Sequence, residues 1–309
     1  MQKFVLGTMA ADDWQEVGAL IHASINQWYT AHMGKPAFTC SPEDTVLFCS
    51  EYEALDTDCC FVVRDIETCK IVASCFYHPR PTHISLGILN VHPEYFGKGA
   101  ARIVLNAVVA TGNSLNLPVR LVSSLMNLDS FSLYNRAGFV PRATYQDMVI
   151  PAESSRLTID AALTRQIRDA VQQDAMAMAS LEFEQCGIQR LKDFQHILAN
   201  RSGIWHTSVM HDAKGELSGF LSSSAHPAIC MLGPGFMRDD NVAEALICRE
   251  LAHRLPLQPL FLVPSSSHLL LNALYLRGAR NVELHTSQCL GHWHAPSGVM
   301  IPTFLPESA

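Results

Sequence analysis

The sequence predicts an α/β (α+β) protein made of two similar domains in tandem, and three observations carry that prediction. At 309 residues the chain is long enough for two domains of ordinary size. The stretch from Leu86 to Arg102 reads as strand, glycine-rich turn and helix start, which is mixed α and β structure. The second half then repeats the first. Moved by 141 residues (259 − 118), Pro118-Val-Arg-Leu-Val-Ser falls on Pro259-Leu-Phe-Leu-Val-Pro, Leu133-Tyr134 on Leu274-Tyr275, and Arg136 on Arg277. Self-similarity at a fixed offset marks a duplicated domain.

Taken in order, Lys3–Met9 reads as a first strand. Asp12, with Gln15 three residues on, forms a capping-box pattern for a helix whose buried stripe is Trp14, Val17, Leu20, Ile21 and Ile25. Ser41-Pro42-Glu43-Asp44 opens a second helix, with proline at its first position and Val46, Leu47 and Tyr52 inside it. Cys60–Arg64 and Ile71–Tyr77 are strands joined by the polar turn 65–70, and His83–Val91 is the next strand. The helix after the glycine turn runs to about Leu115 and carries Ile103, Val104, Ala107, Val108 and Thr111 along one side. Val119–Ser123 is a strand and Asp129–Ala137 a helix ended by Gly138, and Phe139–Ile150 supplies the closing strands. A linker at 151–162 separates a first domain, 1–152, from a second, 163–309. Within the second, Gly219–Ser222 and Ala228–Leu232 are expected to pair as central strands, with Val242–Leu255 as the following helix.

The glycine turn is the most informative stretch. The first amides of a helix have no intrahelical partner, and the macrodipole adds partial positive charge there. Gly97 and Gly99 remove the side chains that would hold a ligand away from the backbone. Such a turn suits an anion, above all phosphate. It is not a P-loop, because Ala100 follows where Gly-Lys-Ser/Thr spacing fails, and Arg102 stands where a dinucleotide fingerprint needs its third glycine.

The run Val91-His-Pro-Glu-Tyr-Phe-Gly-Lys-Gly-Ala-Ala-Arg102 closely resembles the acetyl-coenzyme A loop of the GCN5-related N-acetyltransferases (GNAT), Gln/Arg-x-x-Gly-x-Gly/Ala. Gly99 and Ala101 match, whereas Phe96 stands where Gln or Arg is usual; the change removes a polar side chain but no backbone amide. Asn127, Tyr134, Gly138 and Phe139 resemble a second stretch of the same family in type, spacing and order. The resemblance implies two GNAT-like domains in tandem, each a mixed, centrally splayed β-sheet flanked by helices. It implies acetyl-CoA as cosubstrate, held by Leu89, Asn90, Val91, Phe96, Gly97, Lys98, Gly99, Ala100, Ala101, Arg102 and Asn127. Transfer of the acetyl group to a primary amine of a small molecule or amino-acid-like acceptor, by direct attack in a ternary complex, is the activity implied. The alternative is a non-catalytic acyl-CoA sensor or assembly module.

The shifted second copy sets Arg238 opposite Gly97, Asp240 opposite Gly99 and His268 opposite Asn127. Carboxylates at 239 and 240 repel a pyrophosphate, and Gly233-Pro-Gly235 lies too early to replace the loop. The C-terminal copy therefore resembles the degenerate halves of tandem GNAT proteins and is expected to be structural or to wall a substrate cleft.

Acetyl transfer needs a positioned thioester, a deprotonated amine and a protonated leaving thiolate. By resemblance, backbone amides near Leu89–Val91 orient the thioester and Tyr134 is the candidate general acid; a phenol with a pKa of about 10 is protonated at neutral pH. The bland reading of Tyr134 is a core tyrosine, and that of Asn127 a helix-start residue. No carboxylate lies on His83–Val91, and neither His83 nor His92 is assigned as the base; a water chain serves equally. Cys289, His292 and His294 lack the second half of a zinc site, so no metal is expected.

Composition narrows the class. Hydrophobic residues make up 48% and charged residues 17%, as in a chain with a substantial core. No apolar run reaches the roughly 18 residues of a membrane span. The opening Met1-Gln-Lys-Phe-Val-Leu-Gly has no long apolar region of a secretory signal. The ten cysteines form no regular framework and read as reduced thiols. A net charge of −7 with scattered basic residues argues against a nucleic-acid partner. A cytoplasmic enzyme, monomer or homodimer, is expected.

Overall fold

The computed structural model describes residues 3–306; residues 1, 2 and 307–309, which the expected domain limits include, lie outside them. Contacts divide the chain into two compact units, residues 3–121 with 304–306 and residues 122–303. These are not the limits at 152 and 163 drawn from the sequence, and strand pairing gives the reason.

In the first unit β1 (Phe4–Thr8) pairs antiparallel with β2 (Cys60–Asp65), β2 with β3 (Ile71–Pro79) and β3 with β4 (Ile84–Val91). The strand β5 (Val119–Ser124) starts parallel to β4, so the sheet is mixed. β3 is buried along nearly its whole length, as a strand covered on both faces must be. The helix α1 (Trp14–Met33) buries Val17, Leu20 and Ile21, while Trp14 and Ile25 are half-buried. A short 3-10 turn precedes it, and the carboxylate that reaches back is that of Asp13, accepting from Ala10 N–H at 2.9 Å, rather than Gln15. α2 (Val46–Leu55) follows a turn in which Asp44 accepts from Ser41 N–H at 2.9 Å. Tyr52 of α2 donates to Phe304 O at 2.7 Å and ties residues 304–306 to this unit.

The helix α3 (Ala100–Leu115) buries Ala100, Val104, Leu105, Val108 and Gly112. Ile103, Ala107 and Thr111 are only half-buried, so the buried stripe is turned from the predicted one. A Cβ on Gly112 would stand 2.6 Å from Val119 Cγ2; helix and strand approach more closely there than a side chain permits.

β4 and β5 part soon after they meet. Their register covers only Ile84↔Val119 and Ser85↔Arg120, and β4 continues through Leu86–Val91. Alternate residues of an antiparallel strand direct N–H and C=O away from their partner. Past Ser85 those groups of β4 have no neighbouring strand among the described residues. This is the central splay.

The second unit contains α4 (Leu128–Arg136) and β6 (Val140–Val149), then α5 (Ala161–Thr164), β7 (Ile167–Asp169), α6 (Ala175–Cys186) and α7 (Leu191–Ala199). There follow β8 (Trp205–His211), β9 (Leu217–His226), β10 (Ile229–Met237) and α8 (Asp240–His253). The chain closes with β11 (Phe261–Pro264), α9 (His268–Leu276), β12 (Arg280–Leu290) and β13 (Val299–Ile301). One antiparallel sheet has the order β13-β10-β9-β8-β7, which includes the expected β9–β10 pair. Leu246, Ile247 and Leu251 of α8 pack with Leu221, Leu232, Phe261 and Leu274 in its core.

β6 lies between β11 and β12, antiparallel to both. β12 in turn runs beside the end of β5, where Leu125 N–H bonds Leu284 O at 2.8 Å. The strand that ends the first repeat is thus paired with strands of the second. Compactness assigns β6 accordingly.

The repeat itself is legible in detail. β4 carries one extra residue against β3 between Leu86 and Leu89, and β10 one against β9 between Leu232 and Gly235. A single parallel bridge, Met231↔Leu260, joins β10 to the segment entering β11, so this pair also diverges. Both α4 and α9 end in the same cap: Gly138 N–H bonds Asn135 O and Phe139 N–H bonds Tyr134 O, as Gly278 bonds Tyr275 O and Ala279 bonds Leu274 O.

Candidate active site

Leu89, Asn90 and Val91 end β4, and Phe96–Arg102 form the turn and first helical residues of α3, all in the first unit. Leu89 is half-buried and Asn90 and Val91 are buried. Asn90 stands opposite Ser74 on β3, and its buried Nδ2 has no hydrogen-bond partner among the described residues.

His92 opens the turn, its Nδ1 accepting from Glu94 N–H at 3.3 Å, and Lys98 N–H closes on Tyr95 O at 3.2 Å. Lys98 Nζ sits 4.9 Å from the Tyr95 ring centroid. Gly97 and Gly99 have φ of +74° and +92°, values that favour glycine. A Cβ on Gly97 would meet nothing within 4 Å, and one on Gly99 only Arg102 Nη2 at 3.9 Å. Gly99 is the N-cap of α3 and supplies no side-chain acceptor. Among the described residues nothing accepts from the N–H groups of Ala100, Ala101 or Arg102. Open space, bare amides, the helix dipole and two cationic side chains together suit a pyrophosphate. Phe96, at 47% exposure, points no polar group at it.

The second copy is built oppositely. Eight residues (92–99) join β4 to α3, but only two (238, 239) join β10 to α8. Asp239 is the N-cap of α8, and its carboxylate accepts from Asn241 and Val242 N–H, each at 2.9 Å. The amides that are bare in α3 are filled in α8. The offset of 141 is therefore corrected: cap positions place Gly99 opposite Asp239, Asn127 opposite Ser267, and Tyr134 opposite Leu274. Gly97 has no counterpart in the short connection. Gly233-Pro-Gly235 lies at the β10 irregularity, not at a ligand turn.

Asn127 and Tyr134 belong to the second unit. Asn127 caps α4, its Oδ1 accepting from Ser130 N–H at 3.1 Å, as the bland reading had it. Tyr134 lies two turns along, 7% exposed, with its ring 5.9 Å from that of Phe139. Tyr275, by contrast, is 44% exposed and bonds Gln146 Oε1.

His83 is buried, with Nε2 3.1 Å from Ser85 Oγ and Nδ1 3.0 Å from Thr82 Oγ1, so its ring serves structure. Cys289 contacts His292 through its carbonyl, with Sγ to O at 3.3 Å, and the three residues considered for metal form no ligand cluster among the described residues. Sequence reasoning missed the buried charge groups, one in each unit among them. In the first unit Asp56 receives both terminal nitrogens of Arg80, at 2.9 and 2.8 Å, and His78 Nδ1 at 2.8 Å. Burial pushes its carboxyl up, but these partners outweigh burial and hold it well below the usual range. In the second unit His285 Nδ1 lies 2.9 Å from Asp147 Oδ1. Burial raises the Asp147 carboxyl. Burial lowers His285, yet Asp147 holds it above its ordinary value. Alternation marks each residue's face, but no local signal pairs residue 147 with residue 285.

Residues 23–139 match the sequence profile of the Acetyltransferase (GNAT) family. The segment 23–139 belongs to the GNAT family. The match ends within the first half, as it should if the second GNAT copy is degenerate. The fold is that of tandem GNAT structures. A putative acetyltransferase from Pyrococcus horikoshii aligns at TM-score 0.73 and 14% identity, over 96% of this chain and 92% of that one. A tandem GNAT protein from the clavulanic acid biosynthesis pathway aligns at 0.61 and 15%, over 96% and 100%. Saccharomyces cerevisiae N-myristoyltransferase, solved with myristoyl-CoA, aligns at 0.60 and 12%, over 96% and 80%. No curated protein sequence matches the chain. No helix among the described residues is long and apolar enough to cross a membrane.

Proposed function

We propose that the chain is an acetyl-CoA-dependent N-acetyltransferase that binds its cosubstrate through the first GNAT copy. The observation that carries the reading is the contrast between the bare first turn of α3 and the self-capped first turn of α8. In this reading the N–H groups of Gly99–Arg102 hold the pyrophosphate, and Lys98 and Arg102 balance its charge. The unpaired edge of β4 at Leu89–Val91 orients the thioester carbonyl, and Asn127 meets the pantetheine arm. Tyr134 gives its hydroxyl proton to the departing coenzyme thiolate. The acceptor is a primary amine of a small, amino-acid-like molecule, attacking the acetyl carbonyl directly. The repeats correspond to residues 1–152 and 163–309, with the second holding the fold without binding acetyl-CoA. A cytoplasmic location accords with the reduced state of the cysteines.

The engaged ring of His83 and the absence of a carboxylate on β4 give weight to a second reading, a sensor that binds acyl-CoA without turnover. A pooled panel of amines and amino acids, followed by time-resolved detection of free thiol, separates the two. Amine-dependent thiol release supports the transferase. Acetyl-CoA binding without release across the panel supports the sensor.

A further inference from the structure

Asp147 on β6 faces Glu283 directly across the ladder, and His285 lies two residues further along β12, on the same face as Glu283. Their ligand-type atoms, one from each residue, lie within 4.8 Å of one another. The arrangement belongs wholly to the second unit.

The group is costly as it stands. Asp147 is 1% exposed, and its carboxylate bonds His285, inside the group. Among the described residues its Oδ2 accepts no hydrogen bond, although His285 Nδ1 lies 2.9 Å away. Glu283 is half-buried and adds a second carboxylate. One imidazolium balances at most one of two neighbouring negative charges, and the low polarity of the interior strengthens their repulsion. A divalent cation balances both. Glu283 is also held from outside the group, because Ser124 Oγ, at the end of β5, donates to Glu283 Oε1 at 2.5 Å and fixes its orientation.

We propose that Asp147, Glu283 and His285 form a divalent-cation site that fastens β6 to β12 and, through Ser124, to the end of β5. One imidazole nitrogen and two carboxylate oxygens, with no sulfur, suit zinc, manganese or ferrous iron. Metal–ligand bonds of about 2.0–2.2 Å require donor atoms roughly 3 Å apart, so small side-chain rotations complete the site. The cation takes the place of the proton shared by His285 and Asp147, and that proton leaves to solvent. Its role is to hold together the strands that exchange between the repeats. The proposal stands apart from the acyl-transfer reading and goes against the absence of metal expected from the sequence.

The test uses the full chain, stripped with chelator and titrated with Co²⁺. Cobalt reports its ligands, since thiolates give an intense charge-transfer band that nitrogen and oxygen donors do not; the exposed Cys69 is therefore distinguishable. The expected result is one Co²⁺ per chain with a nitrogen–oxygen spectrum and a rise in melting temperature. Glu283→Gln and Ser124→Ala should each weaken binding by about tenfold or more. Both change groups outside the deep core, and circular dichroism checks their fold. His285→Gln should abolish the spectrum. No Co²⁺ uptake by the parent overturns the proposal, as does a thiolate spectrum. Unchanged affinity in folded Glu283→Gln or His285→Gln overturns it equally.

Discussion

Placing aspartate or asparagine at residue 99 isolates the electrostatics of the proposed coenzyme site. Gly99 has φ +92°, so Gly99→Asp and Gly99→Asn both carry a left-handed backbone cost, about 1–2 kcal/mol for an ordinary residue. That cost is the same with or without coenzyme and falls on stability, not affinity. The two side chains are nearly the same size, and the space over Gly99 holds only Arg102 Nη2 at 3.9 Å. Their difference is one negative charge at the helix start. Two like charges about 4 Å apart repel by roughly 1 kcal/mol in water and about 4 kcal/mol at the effective dielectric of a protein surface. Gly99 is half-buried, so Gly99→Asp should bind acetyl-CoA about 5- to 900-fold more weakly than Gly99→Asn. Calorimetric titration of both variants, with melting curves to check folding, measures this. Equal affinity in the two variants refutes the assignment of this turn to the pyrophosphate.

Four further expectations follow. Tyr134→Phe should lower kcat by roughly 10²- to 10⁴-fold and leave the KM for acetyl-CoA nearly constant, whereas Tyr275→Phe, at an exposed position that is not its counterpart, should match the parent; steady-state rates with an acceptor from the amine panel compare them. Asp239→Ala should cost about 0.5–2 kcal/mol in denaturant unfolding by uncapping α8, yet create no second acetyl-CoA site, because the connection there has only two residues. Asp56→Asn should destabilise by roughly 3–5 kcal/mol at pH 7. The carboxyl is held below its usual range in the fold, so its contribution is complete above the unfolded value of about 3.9 and is lost as pH falls through the folded value. The gap between variant and parent should accordingly narrow below about pH 4, and a gap independent of pH would count against the ion pair. Burial pushes the Cys49 thiol up to about 12, so a disulfide reagent at pH 8 should label Cys69 at once and Cys49 only on unfolding.

The sequence carried the local structure well. Strand–turn–helix at 86–111 is there because apolar runs, glycines and helical spacing leave few alternatives, and the Gly138 cap follows from its place after Arg136. Pairing between distant strands was not legible. Nothing in Val140–Val149 says that it will lie between β11 and β12, since alternation fixes a strand's faces and not its neighbours. The rigid shift of 141 also concealed a deletion. Bulge positions on β4 and β10 differ by 146 (232 − 86), cap positions by 140 (239 − 99), and the six-residue difference is the missing turn. Asp240 looked like the charge that spoils the second site; in the fold the loop is gone, and Asp239 caps the helix. Of the residues proposed to hold the coenzyme, the turn was readable because backbone chemistry dictates it. The proton acceptor was not, because it need only be near in space.

A crystal structure of the full chain with acetyl-CoA tests the central claim most directly. The account predicts one coenzyme per chain, its pyrophosphate within hydrogen-bonding distance of the N–H groups at Gly99–Arg102 and its thioester along β4 at Leu89–Val91. Coenzyme bound instead at the start of α8, or away from both helix starts, would contradict it.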